Sequence, residues 1–167
     1  MEITFQHTTM LLVTVLTGLT AGLCFTWSNA VTPGIGQLDD LTFLKAFQGM
    51  NRSILNPLFF IVFLGPTIVH AINVYTHRNA EVTTLWIYAM AAALFIIGVV
   101  LVTIFKNVPL NEVLDKTDLL TASKEELVEL RALFENPWNR WHRVRTISSF
   151  VSFSLLVIQL ILQQKIV

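Results

Sequence analysis

Apolar residues fill this chain in four long blocks that contain no charged side chain. The blocks lie between Glu2 and Asp39, Arg52 and Arg78, Glu81 and Lys106, and Arg145 and Lys165. A transmembrane helix needs about 20 mostly apolar residues, and each block can supply them. A charge at the bilayer centre costs about 2.5–3.5 kcal/mol on insertion scales, so a bilayer favours such blocks. The pattern predicts an all-α bundle of four transmembrane helices, at residues 8–35, 56–75, 83–105 and 140–163.

The composition agrees with this prediction. Hydrophobic residues make up 54% of the 167 residues and charged residues 13%, against about 25% charged in an average soluble domain. Four spans leave little chain over, so residues 1–167 are expected to form a single membrane domain. The net charge is zero, which argues against a nucleic-acid partner held through its phosphates. The expected environment is a lipid bilayer.

The two longer connections carry signals for short amphipathic helices. Asp39 or Asp40 is expected to cap one of them. Ser123 and Glu126 have the spacing of a capping box that opens the other. We expect Asn136 and Pro137 to end this second helix before the last span, because the residue before a proline disfavours helical geometry.

The distribution of basic residues predicts the orientation in the membrane. Both long connections fall on one side, with nine Lys and Arg residues against two on the other. The positive-inside rule therefore predicts cytoplasmic long connections and external termini, and we expect a multi-pass protein of a bacterial inner membrane. The first span is not expected to be a cleaved signal peptide, because the residues before Met10 include Glu2 but no Lys or Arg.

Polar residues recur at steps of three and four, which places them on the inner face of a left-handed bundle. The clearest rows run through Arg52, Asn56 and His70 and through His142 and Arg145. Many of these residues fall towards the long connections, which predicts a pocket opening on that side. The alternative is that they anchor the helices at the interface or cap helix ends. No metal site is expected, because the intramembrane histidines are too widely spaced.

Four segments in order carry a family resemblance. They read FTWSNAVTPG at 25–34, FQGMNRSILNP at 47–57, NVPLN at 107–111 and WNRWHRVRT at 138–146. Together they resemble the anthrone oxygenase-like family of small four-helix membrane proteins, in a bacterial-type member. The family's studied members oxidise anthrones to anthraquinones. An anthrone is a carbon acid whose anion reacts with dioxygen directly, so the resemblance implies no cofactor.

The resemblance also implies roles for the polar and aromatic residues of the pocket. His142 is the candidate base and Arg145 the candidate partner of the enolate oxygen, so both are predicted to be catalytic. The residues predicted to bind an aromatic or quinone-like substrate are Asn29, Arg52, Asn56, Phe59, Phe63, Asn107, Asn111, Trp138 and Trp141.

A non-catalytic role fits the same sequence. Small residues on the first and third spans favour helix association, as expected of a homo-oligomeric scaffold or of a subunit that binds a lipid or a quinone. An enzyme should have an open pocket at its polar end, whereas a scaffold should have this space filled by side chains.

Overall fold

The structure is a computed structural model that describes residues 4–164. In this part of the chain the backbone forms five helices: α1 Phe5–Ile35, α2 Asp40–Ile54, α3 Pro57–Thr76, α4 Val82–Lys116 and α5 Lys124–Gln164. Four of them, α1, α3, α4 and α5, are long and apolar enough to cross a membrane. The predicted all-α fold with four spans is confirmed. Lys165, one of the two basic residues predicted on the external side, lies outside the described residues.

The four spanning helices pack in a ring. Each touches two neighbours, in the order α1, α3, α4 and α5. One apolar cluster, around Met10 and Tyr88, fills the end near the termini, and a second, around Phe63 and Phe95, fills the middle. A third cluster lies at the opposite end, where α2 packs its Phe47 against α4 and α5. The bundle therefore extends into a small helical cap on the side of the long connections.

Helix boundaries follow the predicted caps. The Asp39 carboxylate accepts a hydrogen bond from the Thr42 backbone at the start of α2. Hydrogen bonds from Thr42 also hold the pKa of this exposed carboxyl below its usual range. Ser123 and Glu126 exchange the two hydrogen bonds of a capping box at the start of α5. Both predicted caps are confirmed.

The predicted break at Pro137 is wrong, because α5 runs through this residue without interruption. A proline inside a helix removes one backbone hydrogen bond and costs about 3 kcal/mol. On either side of it, Phe134 and Trp138 are buried against Phe47, and we attribute the continuity to this packing. The third span is also longer than predicted, since α4 continues to Lys116.

Two prolines lie just after π-helical turns. Residues Trp27–Val31 of α1 and Thr103–Asn107 of α4 are π-helical, and Pro33 and Pro109 follow each turn by two residues. A π-turn holds more residues per turn than an α-turn, so it changes which side chains face the bundle interior. Both turns lie beside the cavity described below, and they bring Trp27 and Thr103 to its wall.

Candidate functional site

A cavity of about 320 Å³ lies between the membrane-spanning part of the bundle and the helical cap. Residues from α1, from the junction of α2 and α3, from α4 and from α5 line it. Small-molecule pockets have volumes of about 300–1,000 Å³, so the cavity is large enough for a compact ligand. Its lining residues are Leu23, Cys24, Trp27, Asn51, Arg52, Ile54, Leu55, Phe59, Phe63, Thr103, Val108, Asn111, Glu112, Asp115, Trp138, His142 and Arg145.

Arg145 places a guanidinium group in the wall of this cavity, with the residue only 8% exposed. Its Nη1 donates to the Thr103 hydroxyl over 3.2 Å, and its Nη2 donates to His142 Nδ1 over 2.7 Å. Its Nε is buried and has no hydrogen-bond partner among the described residues. Within the same part of the chain, no carboxylate forms an ion pair with this guanidinium. The site therefore holds a buried cation that is not paired with any carboxylate of residues 4–164.

The partners of His142 determine which ring nitrogen carries the proton. A guanidinium can only donate, so Nδ1 of His142 must accept the bond from Arg145. In the neutral imidazole the other nitrogen, Nε2, is then protonated and donates to the Cys24 carbonyl oxygen at 3.1 Å. Thr146 also donates to this carbonyl oxygen, at 3.3 Å. These contacts fix the orientation of the ring between α1 and Arg145.

Trp138 forms an aromatic surface beside the polar pair. Its ring stacks on His142 with centroids 4.8 Å apart, and the Arg145 guanidinium carbon lies 5.1 Å from its ring centroid. The indole Nε1 donates to the Asn111 side chain over 2.8 Å. Asn107 donates to the Trp138 carbonyl oxygen over 3.2 Å. Two asparagines of α4 thus orient the residue that carries this surface.

The start of α3 contributes two further aromatic rings to the cavity wall. Phe59 and Phe63 are stacked, with ring centroids 5.0 Å apart and an interplanar angle of 20°. Phe63 is buried in the central apolar cluster, whereas Phe59 is half-buried. The cavity therefore combines aromatic walls with one polar cluster, a combination suited to a planar aromatic ligand that carries a polar group.

Charged residues of α2 and α4 also line the cavity, and these are paired. Arg52 Nε donates to the Asp115 carboxylate over 2.6 Å, with side chains 59% and 51% exposed. Glu112 pairs with Lys116, one helical turn away, at 3.3 Å. These exposed pairs contrast with the buried Arg145, which has no such partner in the described chain.

The structure brings most of the predicted site residues to one place. Seven of them line the cavity: Arg52, Phe59, Phe63, Asn111, Trp138, His142 and Arg145. The other four lie elsewhere. Asn107 lies behind Trp138 and contacts its backbone, and Trp141 is half-buried beside Lys106 and Arg140. Asn29 is exposed on α1, and Asn56 caps α3 by accepting a hydrogen bond from the Phe59 backbone.

The placement of Asn29 and Asn56 differs from the expectation for physical reasons. Asn29 lies within the π-turn of α1, where the α-helical period used to assign its face does not hold. Asn56 lies at a break between α2 and α3, where its side chain satisfies an amide at the helix start.

Ten of the lining residues were not in the predicted set, among them Trp27 and Thr103. Trp27 lies in the first of the four family segments, so its position was marked by the sequence, but its inward direction depends on the π-turn. Thr103 lies four residues before Asn107 in a span of almost uniform hydrophobicity. The hydroxyl group of Thr103 in this apolar span was the sequence signal that could have identified it as a cavity residue.

Comparison with known families agrees with the four sequence segments. A family model described as anthrone oxygenase matches residues 43–155, which is more than half of the chain. The chain belongs to the anthrone oxygenase family. The matched region runs from Phe43 in α2 to Leu155 in α5 and so includes His142, Arg145 and Trp138, while Cys24 and Trp27 precede it. Neither the curated proteins nor the solved structures include a match to the chain.

Proposed function

We propose that this membrane protein binds a planar aromatic carbon acid of the anthrone class in the cavity and promotes its oxidation by dioxygen. The observation that carries the proposal is the buried Arg145–His142 pair against the ring of Trp138, in a member of the anthrone oxygenase family. The cavity volume of about 320 Å³ fits a compact ligand, and the rings of Phe59 and Phe63 in its wall favour an aromatic ligand over an aliphatic one.

The proposed reaction needs no atoms beyond the substrate and dioxygen. A base removes a proton from the central CH₂ carbon, and the resulting enolate gives up electrons to dioxygen. A C–O bond forms at this carbon, and loss of water from the peroxide leaves a second carbonyl group. One anthrone and one dioxygen thus yield one anthraquinone and one water. The protein's contribution is to stabilise the enolate oxygen and to accept the proton.

Arg145 is the proposed partner of the enolate oxygen. Hydrogen bonds between a charged donor and an oxyanion are shorter and stronger than neutral ones. No carboxylate of the described chain forms an ion pair with this guanidinium, so its charge is available to a ligand in the cavity. Thr103 and His142 hold the guanidinium in position before the substrate arrives.

His142 is the proposed base, and its hydrogen bonds define how it would act. Nε2 donates to the Cys24 carbonyl oxygen, so Nδ1 is the nitrogen that can accept a proton. Nδ1 is taken by Arg145 in the structure. We propose that the substrate oxygen replaces Nδ1 as the acceptor for Arg145 Nη2. This exchange places the carbonyl oxygen on the guanidinium and frees the base, so that the oxyanion forms against Arg145 when the proton is removed.

An oxidation assay with a matched pair of variants tests the function. Protein in liposomes is mixed with anthrone, and anthraquinone formation and dioxygen uptake are measured against empty liposomes, which report spontaneous oxidation. We expect oxidation above this background, its loss in Arg145→Met, and its retention in Arg143→Met, which removes an exposed charge two residues away. Binding without oxidation would favour the non-catalytic, ligand-binding role. Oxidation equal to the background at all anthrone concentrations would contradict the proposal.

We further propose that the long connections face the cytoplasm in a bacterial inner membrane. The charge count of nine basic residues against two supports this orientation. The helical cap and the mouth of the cavity would then be on the cytoplasmic side, and the membrane would supply an apolar substrate.

A further inference from the structure

The charge balance around the cavity indicates which aromatic ligands it accepts. Of the charged residues in its wall, Arg52 is paired with Asp115, and Glu112 is paired with Lys116. These pairs cancel, and both are exposed to solvent. Arg145 has no carboxylate partner in the described chain and is 8% exposed. The cavity therefore keeps one uncancelled positive charge at its buried end.

A buried, unpaired charge is unfavourable, because the surroundings replace little of its lost hydration. In Arg145 the cost is reduced by Thr103, by His142 and by the Trp138 ring, which favours a cation over its face. None of these groups supplies a negative charge. A ligand with an anionic oxygen would supply it.

We propose that the cavity binds planar aromatic ligands that carry an anionic oxygen, such as a phenolate or a carboxylate, more tightly than neutral ligands of the same shape. The inference rests on the proposed function for the aromatic class of the ligand, but the charge selectivity holds whether or not turnover follows. It makes Arg145 the specificity-determining residue, which separates ionised ring systems from neutral ones of the same shape.

The aromatic walls favour this ligand over a lipid that carries the same anionic group. A fatty acid offers a carboxylate of equal charge, but its chain would gain little from the aromatic character of Trp138, Phe59 and Phe63. A planar ring system can make edge-to-face contacts with these rings, and aromatic pairs add about 0.5–1.5 kcal/mol beyond burial of area. A competition experiment between an aromatic carboxylate and a fatty acid can therefore distinguish the two kinds of ligand.

Binding of three probes to the purified protein tests the proposal. The probes are anthracene-9-carboxylate, its neutral amide analogue anthracene-9-carboxamide, and oleate, each measured by quenching of tryptophan fluorescence and by calorimetry. We expect the carboxylate to bind at least about tenfold more tightly than the carboxamide, since charged hydrogen bonds contribute more than neutral ones. Oleate should compete poorly with the aromatic carboxylate.

Variants assign the preference to one residue. Arg145→Met should reduce the ratio of the two anthracene affinities to about one, whereas Arg145→Lys, which keeps the charge, should retain part of it. Arg143→Met, the same change at an exposed position of α5, should keep the full ratio. If Arg145→Met does not fold, the ratio of carboxylate to carboxamide affinity in the wild-type protein and in Arg145→Lys still tests the proposal.

Three results would overturn the inference. They are equal affinity of the wild-type protein for the carboxylate and the carboxamide, an unchanged ratio in Arg145→Met, and tighter binding of oleate than of the aromatic carboxylate. Each is a binding result, so it is distinguishable from a failure to oxidise anthrone, which would contradict the proposed function alone.

Discussion

Arg145 and His142 lie one helical turn apart on α5 and are joined by a 2.7 Å hydrogen bond from Nη2 to Nδ1. Since the guanidinium is a permanent donor, this bond requires an imidazole that is unprotonated at Nδ1. The pair thus holds a cation in place with a neutral group where proteins commonly use a carboxylate. A carboxylate would cancel the charge of Arg145, whereas the imidazole leaves it available to a ligand.

Replacement of His142 by Asn should separate its two proposed roles. The Asn side-chain oxygen can accept a hydrogen bond from Arg145, but it cannot act as a base near neutral pH. We expect His142→Asn to keep binding of anthracene-9-carboxylate within about threefold of wild type, a difference below 1 kcal/mol, and to lose anthrone oxidation. His142→Ala should weaken both and lower the stability by about 1–3 kcal/mol, because Arg145 loses an acceptor.

Full oxidation by His142→Asn, with binding retained, would show that His142 positions Arg145 and does not act as the base. The comparison needs thermal unfolding of each variant in the same detergent, so that a loss of activity through unfolding is recognised.

Gly98 allows α4 to approach α5 closely, and its replacement by Ala should destabilise the bundle. A methyl group on Gly98 would lie 2.5 Å from Cβ of Ser148 and would also collide with its hydroxyl oxygen. Overpacking of this kind costs about 1–3 kcal/mol. Gly22→Ala in α1 is the matched control, since a methyl group there meets no described atom within 4 Å.

The measurement for Gly98 is the midpoint of unfolding by heat or by SDS. Gly98→Ala should lower the midpoint, Gly22→Ala should leave it unchanged or raise it, and Ser148→Gly should partly rescue Gly98→Ala. An unchanged midpoint in Gly98→Ala would mean that α4 and α5 can move apart at Gly98 and Ser148 without loss of stability.

The charge pattern was sufficient to predict the four spans, and helical spacing was sufficient to bring His142, Arg145 and Trp138 to one face. Spacing rules gave the wrong side-chain direction at residues where the helix departs from the α-helical period. The π-turn at Trp27–Val31 turns Asn29 outward and Trp27 inward, and no spacing rule for an α-helix contains this shift. The continuity of α5 through Pro137 depended on tertiary packing of Phe134 and Trp138, which the local sequence does not show.

Arg131 connects α5 to the segment between α1 and α2, and replacement by Lys should loosen the helical cap. Its guanidinium bonds to Glu135, to Asp40 and to the carbonyl oxygens of Gly36 and Leu38. Lys has three donors on one nitrogen and cannot reach this set of acceptors at once. We expect Arg131→Lys to cost about 1–3 kcal/mol and to speed proteolytic cleavage between α1 and α2. Arg140→Lys, at an exposed position, should change neither.

The membrane orientation is testable with reporter fusions. Two of the nine basic residues on the side of the long connections, Arg52 and Arg145, line the cavity, so a role in the site could explain their presence without reference to topology. Their removal from the count leaves seven against two, and the positive-inside rule still predicts a cytoplasmic cap.

Alkaline phosphatase, which is active only outside the cytoplasm, should therefore be active when fused after Val167. The same enzyme inserted after Thr121, between α4 and α5, should be inactive, while a fluorescent protein inserted there should fold. The reverse pattern at both positions would place the cap and the mouth of the cavity outside. In that case the four spans would stand, and the orientation would have been set by something other than the basic residues of the connections.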